Sequence, residues 1–189
     1  MKRSERILFY RYMEDLFRSP EVLSMHRFIQ HGDITTLEHA ICVALITFRI
    51  CRLLHRDPRE AVRGALLHDL YLYDWHDPVT DKEGGHRKLH GFTHPKTACD
   101  NASRLFSLTD KEKDIIRKHM WPLTVIPPRH LDSFIVSLAD KVSSLQETFH
   151  ISTEVQENAR KLRQEVLERN GEPPQDLTRQ RSNSGINRE

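Results

Sequence analysis

A histidine and an aspartate stand side by side at the end of an apolar run, Ala65-Leu66-Leu67-His68-Asp69. Burying either side chain costs free energy unless another group pairs with it. Neighbouring side chains on a helix point about 100° apart, so these two cannot share one face, but they can approach a common ion from two sides. The pair therefore predicts a core with a polar centre, provided that the rest of the chain supplies further ligands.

The length and composition are those of a globular chain that folds around one core. The chain has 189 residues, of which 38% are hydrophobic and 30% are charged, and this length allows a sizeable core. No apolar run is long enough to cross a membrane. The N-terminal Ile7-Leu8-Phe9-Tyr10 is too short for the core of a signal peptide. We therefore expect a cytoplasmic protein without a membrane segment.

Charge and cysteine content argue against two further classes of protein. The formal net charge is +2, with positive and negative residues interspersed, which is not typical of a dedicated nucleic-acid surface. The cysteines, Cys42, Cys51 and Cys99, are odd in number and lack CxxC spacing. Neither a disulfide framework nor a zinc finger is indicated, and we expect buried free thiols.

The periodicity of the apolar residues predicts helices along most of the chain. The segment 36–54 is apolar nearly all round, which is typical of a helix at the centre of a bundle. Residues 79–93 are polar and predict the longest connection. The predicted helices cover about residues 4–17, 21–29, 36–54, 58–69, 94–106, 110–121, 131–145 and 153–169. Because no segment shows the alternation of a strand, we expect an all-α fold.

The predicted organisation is a single-domain helical bundle. Helices within residues 1–29 are expected to pack on a core formed by residues 30–150, and a further helix follows at 151–170. The tail, residues 171–189, has few apolar residues and is expected to be disordered. The helix at 153–169 carries the charge pattern of an exposed or partner-facing helix. The sequence does not choose between these two, and it does not give the oligomeric state.

Six polar residues stand where the helical pattern calls for apolar ones, or at helix ends that face the core. They are His39, His68, Asp69, His94, His119 and Asp140. Each has an ordinary explanation when taken alone; a histidine at a helix C-terminus, such as His119, is favoured by the helix dipole. Together, nitrogen and carboxylate ligands without sulfur suit Fe, Mn, Zn or Mg. A carboxylate beside a histidine can bridge two ions, and two-metal sites activate water for displacement at phosphorus.

The order of these six residues resembles that of the HD-domain superfamily of metal-dependent phosphohydrolases. The resemblance covers about residues 30–148. The local strings that carry it are Leu37-Glu38-His39-Ala40, Ala65-Leu66-Leu67-His68-Asp69, Thr93-His94-Pro95, Ile116-Arg117-Lys118-His119 and Leu138-Ala139-Asp140-Lys141. The Gly-Tyr-Pro motif of the HD-GYP branch is missing from the sequence, which makes a cyclic dinucleotide a poor first choice of substrate.

The resemblance implies an HD-type helical bundle that holds two divalent transition metals. His39, His68, Asp69 and Asp140 would hold one ion, and residues matching His94 and His119 hold a second in the binuclear members, with Asp69 as the bridge. Fe or Mn is expected, with Zn, Ni, Co or Mg as alternatives. The implied activity is hydrolysis of a nucleotide or another small phosphoester by a metal-activated water.

Chemistry suggests further residues near the centre. A bound phosphate needs cations, and Lys96, Lys141 and Arg87 follow the proposed ligands closely in sequence or lie in the polar segment before His94. His31 is a candidate for the mouth of the site. Asp74 is a candidate proton carrier, so that the predicted catalytic group consists of His68, Asp69, Lys96 and Asp74.

Two other functions compete with hydrolysis. A few HD-fold proteins are diiron oxygenases that use the same six ligands. A non-catalytic, metal-stabilised helical binding module is the third possibility, although such a module would normally lose one or more ligands. Substituting Asp69→Ala separates the three: a hydrolase should lose phosphoester hydrolysis, an oxygenase should lose oxygen uptake, and a binding module should keep its partner binding.

Overall fold

The structure, a computed structural model, describes residues 2–73 and 86–172, apart from the side chains of residue 31 and residues 86–91. Within these ranges the chain forms a helical bundle with one short β-hairpin, which confirms the predicted all-α class. The helices are α1 (Arg3–Tyr12), α2 (Pro20–Ser24), α3 (Thr36–Leu53), α4 (Arg59–Leu67), α5 (His86–Leu105), α6 (Asp110–Lys118), α7 (Leu131–Thr148) and α8 (Glu154–Arg169), and the strands are β1 (Ile29–His31) and β2 (Ile34–Thr35).

Helix α3 is the centre of the bundle, as its apolar sequence predicts. Thirteen of its 18 residues are buried, and α4, α7 and α8 pack around it. The hydroxyl of Thr35 accepts a hydrogen bond from the Glu38 backbone at 3.2 Å and so caps the first turn. The Glu38 carboxylate does not complete a capping box; it pairs with Arg160 and Arg163 of α8.

The first and last helices share the same core. Phe9 and Met13 belong to the buried cluster that also contains Leu37 of α3 and Leu162 of α8. The charged helix α8 is therefore amphipathic, with one side packed on α3. The three cysteines are buried and free, as expected. None of the helices that the structure describes has both the length and the apolar character needed to cross a bilayer.

Three predicted boundaries are wrong. The first helix ends at Tyr12 and not at residue 17. The helix expected to continue to Ile29 ends earlier, and Ile29 pairs instead with Thr35 in the hairpin; Gly32, with a φ of +57°, allows the tight turn between the strands. Strands of two and three residues are too short to show an alternating pattern. Residues 86–93, expected in a connection, already belong to α5, which continues through Pro95 instead of beginning beside it.

Two other helices begin at or next to the predicted residues and end two or three residues early. Helix α6 begins with a capping box, in which Thr109 and Glu112 each accept a hydrogen bond from the other's backbone. Helix α4 begins at Arg59, where Asp57 accepts a hydrogen bond from the Arg59 backbone at 3.1 Å. Both helices end directly before a histidine, His119 and His68 respectively.

Gly64 allows α4 to pass close to α6. A Cβ atom at this position would lie 2.7 Å from Cγ2 of Ile115 and 3.0 Å from its Cδ1, which is too short for a carbon–carbon contact. The two helices end in His68 and His119, whose ring centres are 4.8 Å apart. The close approach at Gly64 therefore sets the spacing of these two histidines.

We expect Gly64→Ala to destabilise the fold by about 1–3 kcal/mol, because Ile115 must leave its rotamer or the helices must separate. This cost should exceed the gain of about 1 kcal/mol in helix propensity. Urea denaturation gives the free energy of unfolding. Ile115→Ala removes both Cγ2 and Cδ1, so it should cost less in the Gly64→Ala background than in the wild type. Equal costs in both backgrounds would refute the clash.

Candidate metal centre

All six predicted ligands meet in the interior of the bundle. His39 lies in the first turn of α3, His68 and Asp69 directly follow α4, and His94 lies in α5. His119 follows α6, and Asp140 lies in the middle of α7. The exposed fractions are 0% for His39 and His68, 2% for Asp69, 5% for His94, 1% for His119 and 7% for Asp140. Three helix ends and two helix interiors thus supply a buried polar centre.

One half of the centre is formed by His39, His68 and Asp140. Oδ1 of Asp140 lies 3.2 Å from Nε2 of His39 and 3.7 Å from Nε2 of His68. Each of the three residues offers a ligand atom, and these atoms lie within 4.8 Å of one another. This spacing is compatible with a single metal ion between them.

The other half is formed around Asp69. Oδ1 of Asp69 lies 3.3 Å from Nε2 of His94 and 3.6 Å from Nε2 of His119, while its Oδ2 lies 3.3 Å from Nε2 of His68. His68, Asp69 and His119 form a second group whose ligand atoms lie within 4.8 Å. The Asp69 carboxylate therefore stands between His68 on one side and the His94–His119 pair on the other.

Local hydrogen bonds fix the tautomers of three histidines. Nδ1 of His68 donates to the Ala65 carbonyl at 2.6 Å, and Nδ1 of His119 donates to the Ile116 carbonyl at 2.8 Å. Nδ1 of His39 donates to the Glu147 carboxylate at 2.9 Å. A neutral imidazole with its proton on Nδ1 carries a lone pair on Nε2. These bonds therefore direct three Nε2 atoms at the centre, where a metal ion could take the place of an Nε2 proton.

Two buried atoms of the centre lack a hydrogen-bond partner among the described residues. They are Nε2 of His68 and Oδ1 of Asp69. Leaving such an atom unpaired costs about 1–3 kcal/mol, and a cation placed between the two would satisfy both. With nitrogen and oxygen donors and no sulfur, the set suits a divalent metal of intermediate or hard character.

Electrostatics keep the carboxylates of the centre ionised. Burial alone would raise the pKa of Asp69 and of Asp140, but the surrounding histidines hold both pKa values well below the usual range. Burial disfavours the charged form of His68, yet the neighbouring carboxylates raise its pKa to about 10. Burial, together with the positive charges of His68 and His94, lowers the pKa of His119 to about 3. Two ionised, buried carboxylates require positive charge beside them.

Two further polar residues support the centre and were not predicted. Glu147, 4% exposed, holds Nδ1 of His39 and accepts a hydrogen bond from Ser143 at 2.7 Å. It lies seven residues after Asp140, and this two-turn spacing places both on one helix face, so the sequence contained a signal. Gln30 donates to Oδ2 of Asp69 at 2.8 Å. It lies in the hairpin, which no sequence pattern indicated.

The structure does not bring the predicted lysines to substrate-binding positions. The Lys96 side chain is 78% exposed and pairs with Asp100 at 2.8 Å; two residues after His94 on a helix, it points about 200° away from that ligand. Nζ of Lys141 donates to the His119 carbonyl at 3.1 Å and to Ser137 at 3.0 Å, so it holds the end of α6.

Three other predicted site residues lie wholly or in part outside what the structure describes. Asp74 is not among the described residues, and the side chains of Arg87 and His31 are not described. Tyr71 is 2% exposed and is a packing residue whose hydroxyl donates to Gln30 at 2.7 Å. The ring of Tyr73 lies against it, with 5.0 Å between the ring centres.

These observations define a helical protein with a buried histidine–aspartate centre suited to divalent metals. The family model of the HD domain matches residues 36–145, which is more than half of the chain, and the chain belongs to the HD-domain family. This family is of the metal-dependent hydrolase type and implies divalent metal binding, with which the six-residue centre is compatible. No curated protein and no solved structure matches the chain.

We expect Glu147→Gln to weaken metal binding by about 10- to 100-fold, because the charged acceptor that orients His39 is replaced by a neutral amide. Competition with a coloured chelator measures the affinity. Glu168→Gln, which changes an exposed glutamate of α8 in the same way, is the matched control and should bind like the wild type. An unchanged affinity in Glu147→Gln would contradict the positioning role of Glu147.

Proposed function

We propose that the chain is a metal-dependent phosphohydrolase that cleaves a small phosphoester, with a nucleotide as the first candidate. The observation that supports this most is the convergence of three histidine Nε2 atoms and two ionised carboxylates in a buried centre. A hydrolase of this type acts on a phosphorylated small molecule, and we infer a cytoplasmic location for it.

His39, His68, Asp69 and Asp140 would hold one metal ion. His94 and His119 would hold a second, with Asp69 between the two. When bound, such ions act as Lewis acids and lower the pKa of a water molecule so that it can attack phosphorus. Fe and Mn fit the donor set best, and Zn, Ni, Co and Mg are the alternatives.

The residues around the ligands keep the centre in one geometry. Gln30 holds the second oxygen of Asp69 through a hydrogen bond of 2.8 Å, so that Oδ1 stays directed at His94 and His119. Glu147 and Ser143 restrain His39 from the other side of the bundle. Ligands that are held in advance lose little freedom when the transition state forms.

The charge of the substrate phosphate would be met mainly by the metal ions. Lys96 and Lys141 have other partners within the protein, so neither is placed to hold a phosphate. Arg87, His31 and Asp74 stay candidates for contact with the substrate and for proton transfer. A small substrate would bind through its phosphate, and ions held by the six residues would supply positive charge and Lewis acidity there.

The test is hydrolysis by protein loaded anaerobically with Fe²⁺ or Mn²⁺, assayed against nucleoside monophosphates, nucleoside polyphosphates and phosphodiesters. Asp69→Ala should reduce turnover by about 10³-fold or more, since several kcal/mol of metal assistance is lost. Asp100→Ala, which removes an aspartate of α5 outside the centre, is the control and should keep wild-type turnover.

Metal content measured on the same samples separates the alternatives. About two ions per chain in the wild type and about one in His94→Ala are expected if the site is binuclear. Oxygen uptake without phosphate release would indicate a diiron oxygenase instead. Tight metal binding with neither reaction on any substrate of the panel would leave a metal-stabilised binding module, and the hydrolase proposal would fail.

A further inference from the structure

Helix α7 has its charged residues on the inside together with part of its apolar residues, and a second set of apolar residues faces outward. Asp132, Asp140 and Glu147 are at most 7% exposed, and the ammonium group of Lys141 is bonded to the carbonyls of His119 and Ser137. The solvent-facing apolar residues are Leu131 at 52%, Phe134 at 37%, Leu138 at 58% and Leu145 at 57% exposed, followed by Phe149 at 68%. A surface helix normally shows the opposite arrangement.

The apolar surface continues into the connection between α6 and α7. Leu123, Val125 and Ile126 are 50%, 92% and 69% exposed, and the ring of Trp121 packs edge-on against Phe134 with 5.4 Å between the ring centres. At roughly 100 Å² per exposed side chain, these eight residues present about 800 Å², which is what one partner contributes to a standard protein interface. Monomeric proteins rarely expose a contiguous apolar patch of this size.

The residues of α7 form a straight stripe that is nearly symmetric about position 140. The stripe consists of Leu131, Phe134, Leu138, Val142, Leu145 and Phe149, which follow one another at the average spacing of an α-helix. Leu138 and Val142 lie two residues on either side of position 140, and Leu131 and Phe149 lie nine residues on either side. Phe134 lies six residues before it and Leu145 five residues after it.

We propose that this stripe is a dimer interface, in which α7 packs antiparallel against α7 of a second copy of the chain. A two-fold axis at the level of residue 140 would place each phenylalanine opposite a leucine, and Leu138 opposite Val142. An isologous contact of this kind needs such a self-complementary patch. Because the stripe presents no charged group, pairing it desolvates no charge.

The composition of the C-terminal tail favours a second copy over the tail as the occupant. Residues 173–189 contain only one leucine and one isoleucine, among 17 residues rich in charged and polar side chains. Such a segment has too little apolar surface to cover six apolar side chains along five helical turns. A second copy supplies the matching surface by symmetry.

Sedimentation velocity of the full chain over a wide range of concentration tests the proposal. We expect a dimer of about twice the 22.2 kDa chain mass. Leu138→Glu places two carboxylates near the axis and should weaken the dimer by about 100-fold or more, since like charges at an interface core cost several kcal/mol. Ile7→Glu, at a 61% exposed position on α1, is the matched control and should stay dimeric.

Three results would overturn the proposal: a monomeric wild type, a dimer that Leu138→Glu leaves intact, or a dimer that Ile7→Glu weakens equally. Circular dichroism checks that the variants are folded. If Leu138→Glu does not fold, Phe149→Ser, which changes a residue just beyond the end of α7, takes its place with the same expected outcome.

Mixing two variants tests the register of the two helices. Leu138→Glu and Val142→Lys should each be monomeric alone, but in a mixture the glutamate of one copy would face the lysine of the other. We expect heterodimers to form in the mixture and to weaken as the salt concentration rises. Failure of the two variants to associate would rule out the antiparallel register.

Discussion

The pairing of buried carboxylates with histidines is the interaction on which the structure depends. Asp69 and Asp140 are ionised although they are only 2% and 7% exposed, and isolated buried charges would cost several kcal/mol each. The histidines that compensate these charges lie in or directly after four different helices, so the helices must approach one another closely at this point. The polar centre thereby fixes the geometry of the bundle as much as the apolar core does.

Two helices position their histidines by the same local device. His68 and His119 each follow the last residue of a helix, and each donates from Nδ1 to the carbonyl three residues earlier. Carbonyl groups in the last turn of a helix have no partner within the helix. The histidine satisfies one of them, and this bond fixes both the ring orientation and the tautomer. At α4 and at α6, one hydrogen bond therefore both completes the helix end and orients the histidine ring.

The six residues of the buried centre could be predicted because they violate the pattern around them. His39, His68 and Asp140 are polar residues within apolar helical sequences, and the order of the six residues is retained along the chain. The role of Glu147 could also have been predicted from the sequence, because its spacing places it on the same helix face as Asp140. The role of Gln30 could not, since its position depends on a hairpin of a few residues whose pairing is set by the tertiary structure.

The lysines show why adjacency in sequence is a poor guide to adjacency in space. Lys96 and Lys141 stand two residues and one residue after a ligand, and a helix turns about 100° per residue. A neighbour of an inward-pointing ligand is therefore directed sideways or outward. Lys96 reaches the surface, and Lys141 reaches the end of α6. Cations that serve a buried site are better sought three, four or seven residues away.

Helix α7 contributes residues to both the buried centre and the exposed apolar stripe. Its inward face supplies Asp140 and Glu147 to the centre and Asp132 to Arg56 and Lys111, so the charged residues of the helix have partners within the protein. The outward face is left with leucine, phenylalanine, serine and threonine, a composition that does not favour a solvated surface. Burying that face against a second copy would also restrain the helix that carries Asp140. The metal centre and the dimer interface would then lie on opposite faces of one helix, and the rigidity of each would depend on the other.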